Sequence, residues 1–463
     1  MGDMKLGGDA NNLTSGGIIK KLLVLAAPIV ASNLMQMLYN LTDMFWLAKL
    51  GPHAVAASGA AGMYMWLSVG FLLIGRMGTE IGVSQSLGRG DGKAARGYSQ
   101  NSMVIALVVG LVYGAFLLIF RDSCIGFFRF KEEQVTRDAV VYLSIVAAFM
   151  PLNFAMAVIG GAFTAAGDSR TPFIAMGIGI VGNVILDPLF ILVLHWGVAG
   201  AALATVISQV LVLISVFVGY LGMGIRPFSG FRLFGPIEGE KIARILRWSL
   251  PIALENIFFC FLSMVTSRVE AGFGADAVAV SRVGSQVESL SWLIGAGFGS
   301  ALVVFIGQNY GAGREDRIRA VIKLSAVIMA GWGLFVMAFI WFAGPGVFAL
   351  FFPNRELLGL GTSYLRILTF CQLAMNLEAV GSGAFKGRGR TIPPSVVVIS
   401  TNALKPVLAW VLSRTSLGLH GVWIGVVISA NLRGIWMNLW YAAARRKMKA
   451  GAPLPGPAAP PPV

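Results

Sequence analysis

Acidic and amide side chains stand inside otherwise apolar stretches of this 463-residue chain, and their types suit the binding of a cation. Asp43 lies one turn after Tyr39 in the first stretch, and Asn183 lies one turn before Asp187 in the fifth. An ionisable side chain at the bilayer centre costs at least about 2.5 kcal/mol, so each one needs a structural partner or a function. Two carboxylates and an amide could coordinate a hard cation, or share a proton because two close negative charges disfavour each other.

Both acids also have a structural explanation. Asp43 could be solvated near a helix end, and Asp187 could mark a kink before Pro188. We favour a functional role, because ionisable residues inside membranes commonly mark ion or substrate pathways.

Two further acids lie in the second half of the chain. Glu255 follows Pro251 in the seventh apolar stretch, and Glu378 lies in the middle of the tenth. Apolar neighbours surround both, a setting in which a carboxyl group can exchange a proton near neutral pH. The alternative is a salt bridge with Lys405. We predict that Lys405 pairs with Glu378 or Glu255, which would make the second half a neutralised copy of the first.

Other charged residues in apolar stretches have simpler explanations. Arg76 and Glu80 are spaced i and i+4, which predicts a pair along one helix face. A second group is expected to lie near an interface and to snorkel or pair: Arg268, Glu270, Arg282, Glu288 and Arg366.

The composition of the chain indicates that the segments carrying these groups lie in a membrane. Hydrophobic residues make up 56% of the chain and charged residues 12%, with a mean hydropathy of +0.77, whereas soluble proteins carry about 25% charged residues. The net charge of +15 is spread over short strips between apolar runs, which argues against a nucleic-acid-binding face. The three Cys and three His are widely separated, so the sequence predicts no disulfide framework and no metal cluster.

Apolar length predicts twelve membrane-spanning helices, since about 20 apolar residues cross a bilayer. The first follows Lys20 and Lys21 and is too long for a signal peptide, so we expect an uncleaved helix. Loops on the side of the N-terminus carry 21 Lys and Arg residues and the other loops 7, which predicts cytoplasmic termini. The spans are 22–48, 54–85, 99–120, 139–166, 172–194, 199–221, 246–272, 277–308, 321–343, 361–385, 394–412 and 420–443.

An internal repeat relates the two halves of the chain. Pro28 corresponds to Pro251, and SQSLGRGDGKAAR (84–96) corresponds to GQNYGAGREDRIR (307–319). Six helices in each half is an even number, so the halves are related by an axis along the membrane normal. In transporters such a parallel repeat places the substrate site between the halves.

The sequence thus predicts an all-α integral membrane protein, with twelve transmembrane helices in two six-helix bundles related by a parallel internal repeat. The predicted segments are a cytoplasmic N-terminal segment (1–21), an N-lobe (22–221), a cytoplasmic linker (222–245), a C-lobe (246–443) and a disordered basic and Pro-rich cytoplasmic tail (444–463).

Four motifs of the N-lobe are informative about function: LYNLTDMFWLAKLG (38–51), GAFTAAGDSRTP (161–172), GNVILDPLFI (182–191) and GVAGAALATVIS (197–208). With the two bundles they resemble the multidrug and toxic compound extrusion (MATE) family of secondary transporters. The resemblance implies export of organic cations and other amphipathic compounds, driven by the inward flow of protons or sodium ions. The wider superfamily includes lipid and lipid-linked oligosaccharide flippases, so the fold alone does not separate drug from lipid cargo.

The resemblance also implies site residues. The N-lobe coupling site, which could hold Na+, would be formed by Asp43, Asn183, Asp187 and Thr205, with Gln36 and Met176 as neighbours. The cavity lining would include Tyr39, Asn40 and Asn153, while position 160, an asparagine in some members, is glycine here. The acidic positions of the C-lobe would be Glu255 and Glu378, with Lys405 at the repeat position of Asp187.

Other function classes fit less well. An enzyme would need a nucleophile with its base or a metal cluster, and a channel would need a ring of like groups. We therefore expect a multidrug efflux antiporter in the plasma membrane of a bacterium or archaeon. It would act as a monomer in contact with lipid and would bind no nucleic acid. It would use H+ or Na+ as its coupling ion and would need no cofactor. The alternative is a flippase for an anionic lipid-linked sugar, for which an excess of cavity arginines is expected.

Overall fold

The computed structural model describes residues 12–130, 132–222, 224, 226–349 and 355–449. Within these ranges the chain is helical and has no β-strand. Residues 1–11 of the predicted N-terminal segment and residues 450–463 of the predicted tail lie outside the described residues. The helices are α1 (Ile18–Lys49), α2 (Pro52–Gly88), α3 (Gly92–Ile119), α4 (Arg121–Gly126), α5 (Glu133–Ala148), α6 (Met150–Ala165), α7 (Arg170–Pro188), α8 (Gly197–Gly222), α9 (Gly239–Ala271), α10 (Ala275–Gly311), α11 (Glu315–Ala349), α12 (Arg355–Thr369), α13 (Gln372–Gly387), α14 (Ile392–Ser413) and α15 (Gly418–Lys449).

Ten described helices are long and apolar enough to cross a membrane, and two bent pairs raise the number to twelve. The predicted all-α membrane fold is confirmed. The fourth and tenth predicted spans, 139–166 and 361–385, are bent rather than straight: α5 meets α6 at 48° and α12 meets α13 at 42°. Pro151 follows the first break and has no N–H to continue the helical ladder.

The two bends occupy equivalent places in the repeat. The first break is at Phe149 and the second at Cys371. These two positions coincide when GAFTAAGD (161–168) is aligned with GAFKGRGR (383–390). Both halves of the chain therefore bend at the same point of the same span.

Turns also recur at equivalent positions of the two halves. Gly51 before α2 and Gly274 before α10 both have φ of +105°, a conformation that favours glycine because it has no Cβ. Gly90 and Gly313, which are also equivalent, have φ of +76° and +69°. The repeated glycines of the sequence therefore mark repeated backbone turns.

The described chain divides into two compact units. The first contains residues up to Asn256 together with Gly307–Glu315, and the second contains Ile257–Ile306 together with residues from Asp316 onward. The boundaries fall inside α9, inside α10 and at the start of α11. The division into lobes at the linker 222–245 stays a prediction.

Each unit has an apolar core of its own. In the first unit, Leu143 of α5 and Phe154 of α6 are fully buried in a cluster that also includes Ala57 of α2. In the second unit, Trp423 of α15 packs edge-on against Tyr364 of α12 with ring centroids 5.1 Å apart. These cores fix the helices that carry the polar groups described next.

The C-terminal ends of α2 and α10 cross within the first unit. A Cβ atom on Gly88 would overlap the backbone carbonyl of Gln308, and a Cβ atom on Gly311 would overlap that of Gln85. Gly88 and Gly311 are repeat equivalents, as are Gln85 and Gln308. One motif therefore packs against its own repeat copy, at a distance that only glycine permits.

Candidate cation site

Helix α7 supplies the centre of the site in the first unit. Asn183 and Asp187 lie one turn apart, and Asn183 Nδ2 donates to Asp187 Oδ1 at 3.1 Å. Both side chains are 0% exposed. The carboxylate therefore has an uncharged amide as its hydrogen-bond donor, in a place that solvent does not reach.

The backbone after Asp187 is irregular. Pro188 ends α7, and Leu189–Val193 forms one π-helical turn, in which the Leu194 N–H donates to the Leu189 carbonyl at 2.9 Å. Proline lacks an N–H and crowds the carbonyl of the preceding turn, so the regular ladder cannot continue. Such π-helical turns occur often at functional sites. Asp187 lies directly before this irregular turn.

Helix α8 approaches α7 closely enough to add hydroxyl groups. Two glycines of α7 face this helix. An ideal Cβ atom on Gly179 would lie 3.1 Å from the Ser208 carbonyl, and one on Gly182 would lie 2.8 Å from Leu211 Cδ1. The absence of side chains there lets Thr205 and Ser208 reach the buried side of α7. Thr205 is 3% exposed.

Helix α1 brings the second carboxylate. Asp43 Oδ1 is buried, and Asp43 interacts electrostatically with Asp187. Tyr39, one turn earlier, lies beside Thr205 and close to both acids. Tyr142 of α5 also faces Thr205 and the two acids, and it is only 4% exposed.

Several buried polar atoms of the site have no hydrogen-bond partner among the described residues. They are the acceptor oxygens Asp43 Oδ1, Asp187 Oδ2 and Asn183 Oδ1 and the hydroxyl groups of Tyr39, Thr205 and Ser208. A buried polar atom without a partner costs about 1–3 kcal/mol, and two nearby carboxylates repel each other. A bound proton or a small cation would relieve both costs. Carboxylate, amide and hydroxyl oxygens suit a hard cation such as Na+.

No group of three or more His, Cys, Asp and Glu side chains converges as a metal site anywhere in the described ranges. The cluster of Asp43, Asn183, Asp187 and Thr205 has two acids and two neutral oxygen donors. These oxygen ligands fit a singly charged cation or a proton.

Four predicted neighbours make no hydrogen bond to this cluster in the part of the chain that the structure describes. Gln36 and Asn40 are exposed on α1 and bond to each other at 3.3 Å. Met176 and Asn153 are half-buried, on α7 and at the start of α6. A Cβ atom on Gly160 would meet no atom within 4 Å. The space that a side chain at position 160 would begin to fill is therefore open in this chain.

Sequence reasoning missed Tyr142 and Ser208. Ser208 lies three residues after Thr205, so the helical period could have found it. Tyr142 stands in an uncharged apolar span, where its hydroxyl is the one signal that the sequence offers.

The second unit is arranged differently from our expectation. Glu378 Oε2 lies 2.7 Å from Arg433 Nε, so its partner is the arginine of α15 and not Lys405. Lys405 Nζ donates to Ser263 Oγ at 3.0 Å and lies over the Phe259 ring. The predicted Lys405–Glu378 pair is therefore wrong, because α15 brings a guanidinium closer to Glu378. Glu255 is half-buried on α9.

Glu270 and Glu288 are more buried than the sequence suggested. Glu270 accepts hydrogen bonds from the Ser281 hydroxyl and, at 2.7 Å, from Trp423 Nε1. Glu288 accepts from Gln372 Nε2 at 3.2 Å. Both carboxylates are held by neutral donors instead of snorkelling to an interface.

The predicted pair of Arg76 and Glu80 on α2 is confirmed. Arg76 Nε donates to Glu80 Oε1 at 2.8 Å, and the Glu80 side chain is fully buried. This acid already has a fixed countercharge, which distinguishes it from the acids of the cation site.

A sequence model of the MatE family matches this chain twice, at residues 28–189 and 251–411. The two matches begin at Pro28 and Pro251, which are equivalent residues of the internal repeat. Together they cover most of the described helices and both of the acids at the site.

Known proteins of similar sequence and structure are transporters. A probable multidrug resistance protein NorM of Thermotoga maritima is 26% identical over 424 residues, which are 89% of each chain. A FAD transporter of Shewanella oneidensis is 26% identical over 405 residues, 85% of this chain and 87% of the relative. A crystal structure of MATE in the bent conformation superposes with a TM-score of 0.89 at 26% identity, covering 96% of this chain and 99% of that one.

Proposed function

Because this chain belongs to the MatE family of multidrug efflux transporters, we propose that it exports organic cations or amphipathic molecules by antiport with H+ or Na+. The observation that carries the proposal is the buried pair of Asp43 and Asp187, in which Asp43 Oδ1 and Asp187 Oδ2 have no hydrogen-bond partner among the described residues. A coupling site must bind a cation in one state and release it in another, and a site with two close acids and no fixed countercharge can do so.

The cluster joins two helices that can move against each other. Asp43 lies on α1 and Asp187 on α7, so a bound cation draws the two helices together and its loss lets the carboxylates repel. Pro28 interrupts α1, where it removes one backbone hydrogen bond and allows the helix to bend. Cation binding thus favours the state in which α1 and α7 are drawn together, and cargo that binds better to the other state is released.

The proposed setting is the plasma membrane of a bacterium or archaeon, with both termini in the cytoplasm and the chain acting as a monomer. The excess of Lys and Arg in the loops on the N-terminal side supports this orientation.

A transport assay in proteoliposomes tests the proposal. Ethidium is the cationic cargo, and FAD is a second cargo because one relative is a FAD transporter. The pH gradient and the Na+ gradient are imposed separately. We expect ethidium transport that one of the two gradients accelerates. FAD transport without ethidium transport would contradict the cargo class, and transport of a labelled lipid alone would favour a flippase.

A further inference from the structure

The last turns of α15 carry a run of positive charge. The sequence there is ARRKMK (444–449), with four Lys and Arg residues. Arg445 and Arg446 are exposed, and among the described residues neither has an ion-pair partner. The 85 residues that follow Glu378 in the chain contain ten Lys and Arg residues and no Asp or Glu. The charge of the two arginines therefore lacks a fixed counterion in the described part of the protein.

This end of α15 packs against a second basic segment, the end of α13 and the turn after it. The sequence of that segment is GAFKGRGR (383–390), with three basic residues. Arg388 donates to the Tyr441 hydroxyl of α15, and its guanidinium lies 5.7 Å from the centroid of the Tyr441 ring. Phe385 packs edge-on against the same ring at 5.2 Å. Arg445 follows Tyr441 by one turn on the same side of the helix, so the two basic segments meet at one place.

The first half of the chain indicates that the repeated fold does not require these charges. When GAFKGRGR is aligned with GAFTAAGD (161–168), the three basic residues correspond to Thr164, Ala166 and Asp168. When GLHGVWIGVVIS (418–429) is aligned with GVAGAALATVIS (197–208), Arg445 and Arg446 correspond to Gly224 and Ile225. The equivalent positions are thus neutral or acidic. The positive charge is a property of the second half alone, and it calls for an explanation other than helix packing.

Apolar and aromatic side chains beside the run indicate where the membrane surface lies. Trp436 and Trp440 stack with ring planes 13° apart, and Leu439 is 65% exposed. Tryptophan is enriched at the boundary between membrane and water. Arg445 follows Trp440 by five residues, a rise of about 7.5 Å along a helix, which places it at the depth of the lipid headgroups. Leu439 lies two turns before Arg446 on the same exposed face of α15.

We propose that the ends of α13 and α15 form a binding site for an anionic phospholipid. The lipid phosphate contacts Arg445 and Arg446, and an acyl chain lies along the exposed face that contains Leu439. Opposite charge selects an anionic headgroup over a zwitterionic one, and the apolar face selects a lipid over free phosphate, which has no acyl chain. The inference goes beyond the proposed function, because this lipid is bound at the surface and is not cargo.

Native mass spectrometry of the full-length protein in detergent tests the proposal. The protein is titrated with phosphatidylglycerol and separately with phosphatidylcholine of the same acyl chains, and the bound lipids are counted. We expect one phosphatidylglycerol to bind at concentrations at which phosphatidylcholine does not. Arg445→Gln with Arg446→Gln should raise the dissociation constant of phosphatidylglycerol by about thirtyfold, since each basic residue near a membrane surface contributes about fivefold. Both arginines are exposed, so the variant is expected to fold.

Matched controls separate this site from net charge and from free phosphate. Lys20→Gln with Lys93→Gln removes the same charge at exposed positions of the first unit and should leave phosphatidylglycerol binding unchanged. Inorganic phosphate at the concentration of the lipid should not displace it. The proposal is overturned if phosphatidylcholine binds equally well, if the arginine variant keeps wild-type affinity, if the lysine variant loses as much affinity, or if inorganic phosphate displaces the lipid. None of these readouts requires transport, so they stand apart from the test of antiport.

Discussion

Asp187 differs from the other buried acids of the described chain in what its oxygens touch. Glu378 has the guanidinium of Arg433, and Glu270 has two neutral donors, whereas Asp187 has one amide and a free buried oxygen next to Asp43. A buried carboxylate whose oxygens are already paired is stabilised little by a mobile cation. A buried carboxylate with an unpaired oxygen can bind and release such a cation.

Substitution of Asp43 tests this distinction at the first site. Asp43→Asn keeps the shape of the side chain and removes the negative charge, so we expect efflux to fall to the level of cells without the protein while expression is unchanged. Ethidium efflux from cells measures the outcome. The matched control is Asp138→Asn, a half-buried acid on α5 whose hydrogen bond with Gln134 is exposed, and this variant should export like the wild type. Full efflux by Asp43→Asn would rule out coupling through this acid.

The ion pair of Glu378 and Arg433 predicts a change in stability. The side chains are 17% and 13% exposed, so removing one partner strands a largely buried charge, at a cost of about 3–5 kcal/mol. We expect Glu378→Gln to lower the melting temperature and Glu378→Gln with Arg433→Met to recover much of the loss. Lys405→Met in place of Arg433→Met should give no recovery. Recovery by Lys405→Met would restore the pairing that the sequence suggested.

Residue types alone found the acids of the first site, because ionisable groups in apolar stretches stand out. They could not identify the partner of Glu378. Arg433 and Lys405 are both basic residues in predicted spans, and which of them reaches the carboxylate depends on the packing of α15 against α13. The same holds for Glu288, whose amide partners are neutral and carry no charge signal in the sequence.

At the scale of elements, the repeat gives the helices their order and their turns. Apolar length predicts the twelve spans, and the left-handed glycines at equivalent positions of the two halves follow from the repeat. The bend between α12 and α13 could not be predicted, because no proline lies at that break, unlike Pro151 after the break between α5 and α6.

The close crossing of α2 and α10 predicts that adding one methyl group at Gly88 lowers the stability of the protein. A Cβ atom on Gly88 would overlap the backbone of Gln308, which cannot turn away as a side chain can. We expect Gly88→Ala to destabilise the protein by about 1–3 kcal/mol, measured as a lower melting temperature. Gly62→Ala in the same helix meets no atom within 4 Å. It should be neutral or stabilise by about 0.5–1 kcal/mol, and equal effects of the two variants would contradict the close crossing.

At the scale of the whole molecule, the distribution of basic residues predicts the orientation in the membrane. Lys93 at the start of α3 and Glu133 at the start of α5 are both exposed and lie in loops on opposite predicted sides. In intact cells, a membrane-impermeant maleimide should label Glu133→Cys, and it should label Lys93→Cys only after permeabilisation. The reverse pattern would place the termini outside.

Competition between cargo and coupling ion is the property that the proposed antiport most depends on. A ligand shifts a two-state equilibrium only by its differential affinity for the two states, so a cation bound between Asp43 and Asp187 must weaken cargo binding. The most direct measurement is the dissociation constant of ethidium in detergent, titrated with acid and separately with Na+, for the wild type and for Asp43→Asn with Asp187→Asn. We predict that wild-type affinity falls as pH decreases or as Na+ increases, and that the double variant responds to neither. Wild-type affinity that stays constant across both titrations would contradict coupling at this site.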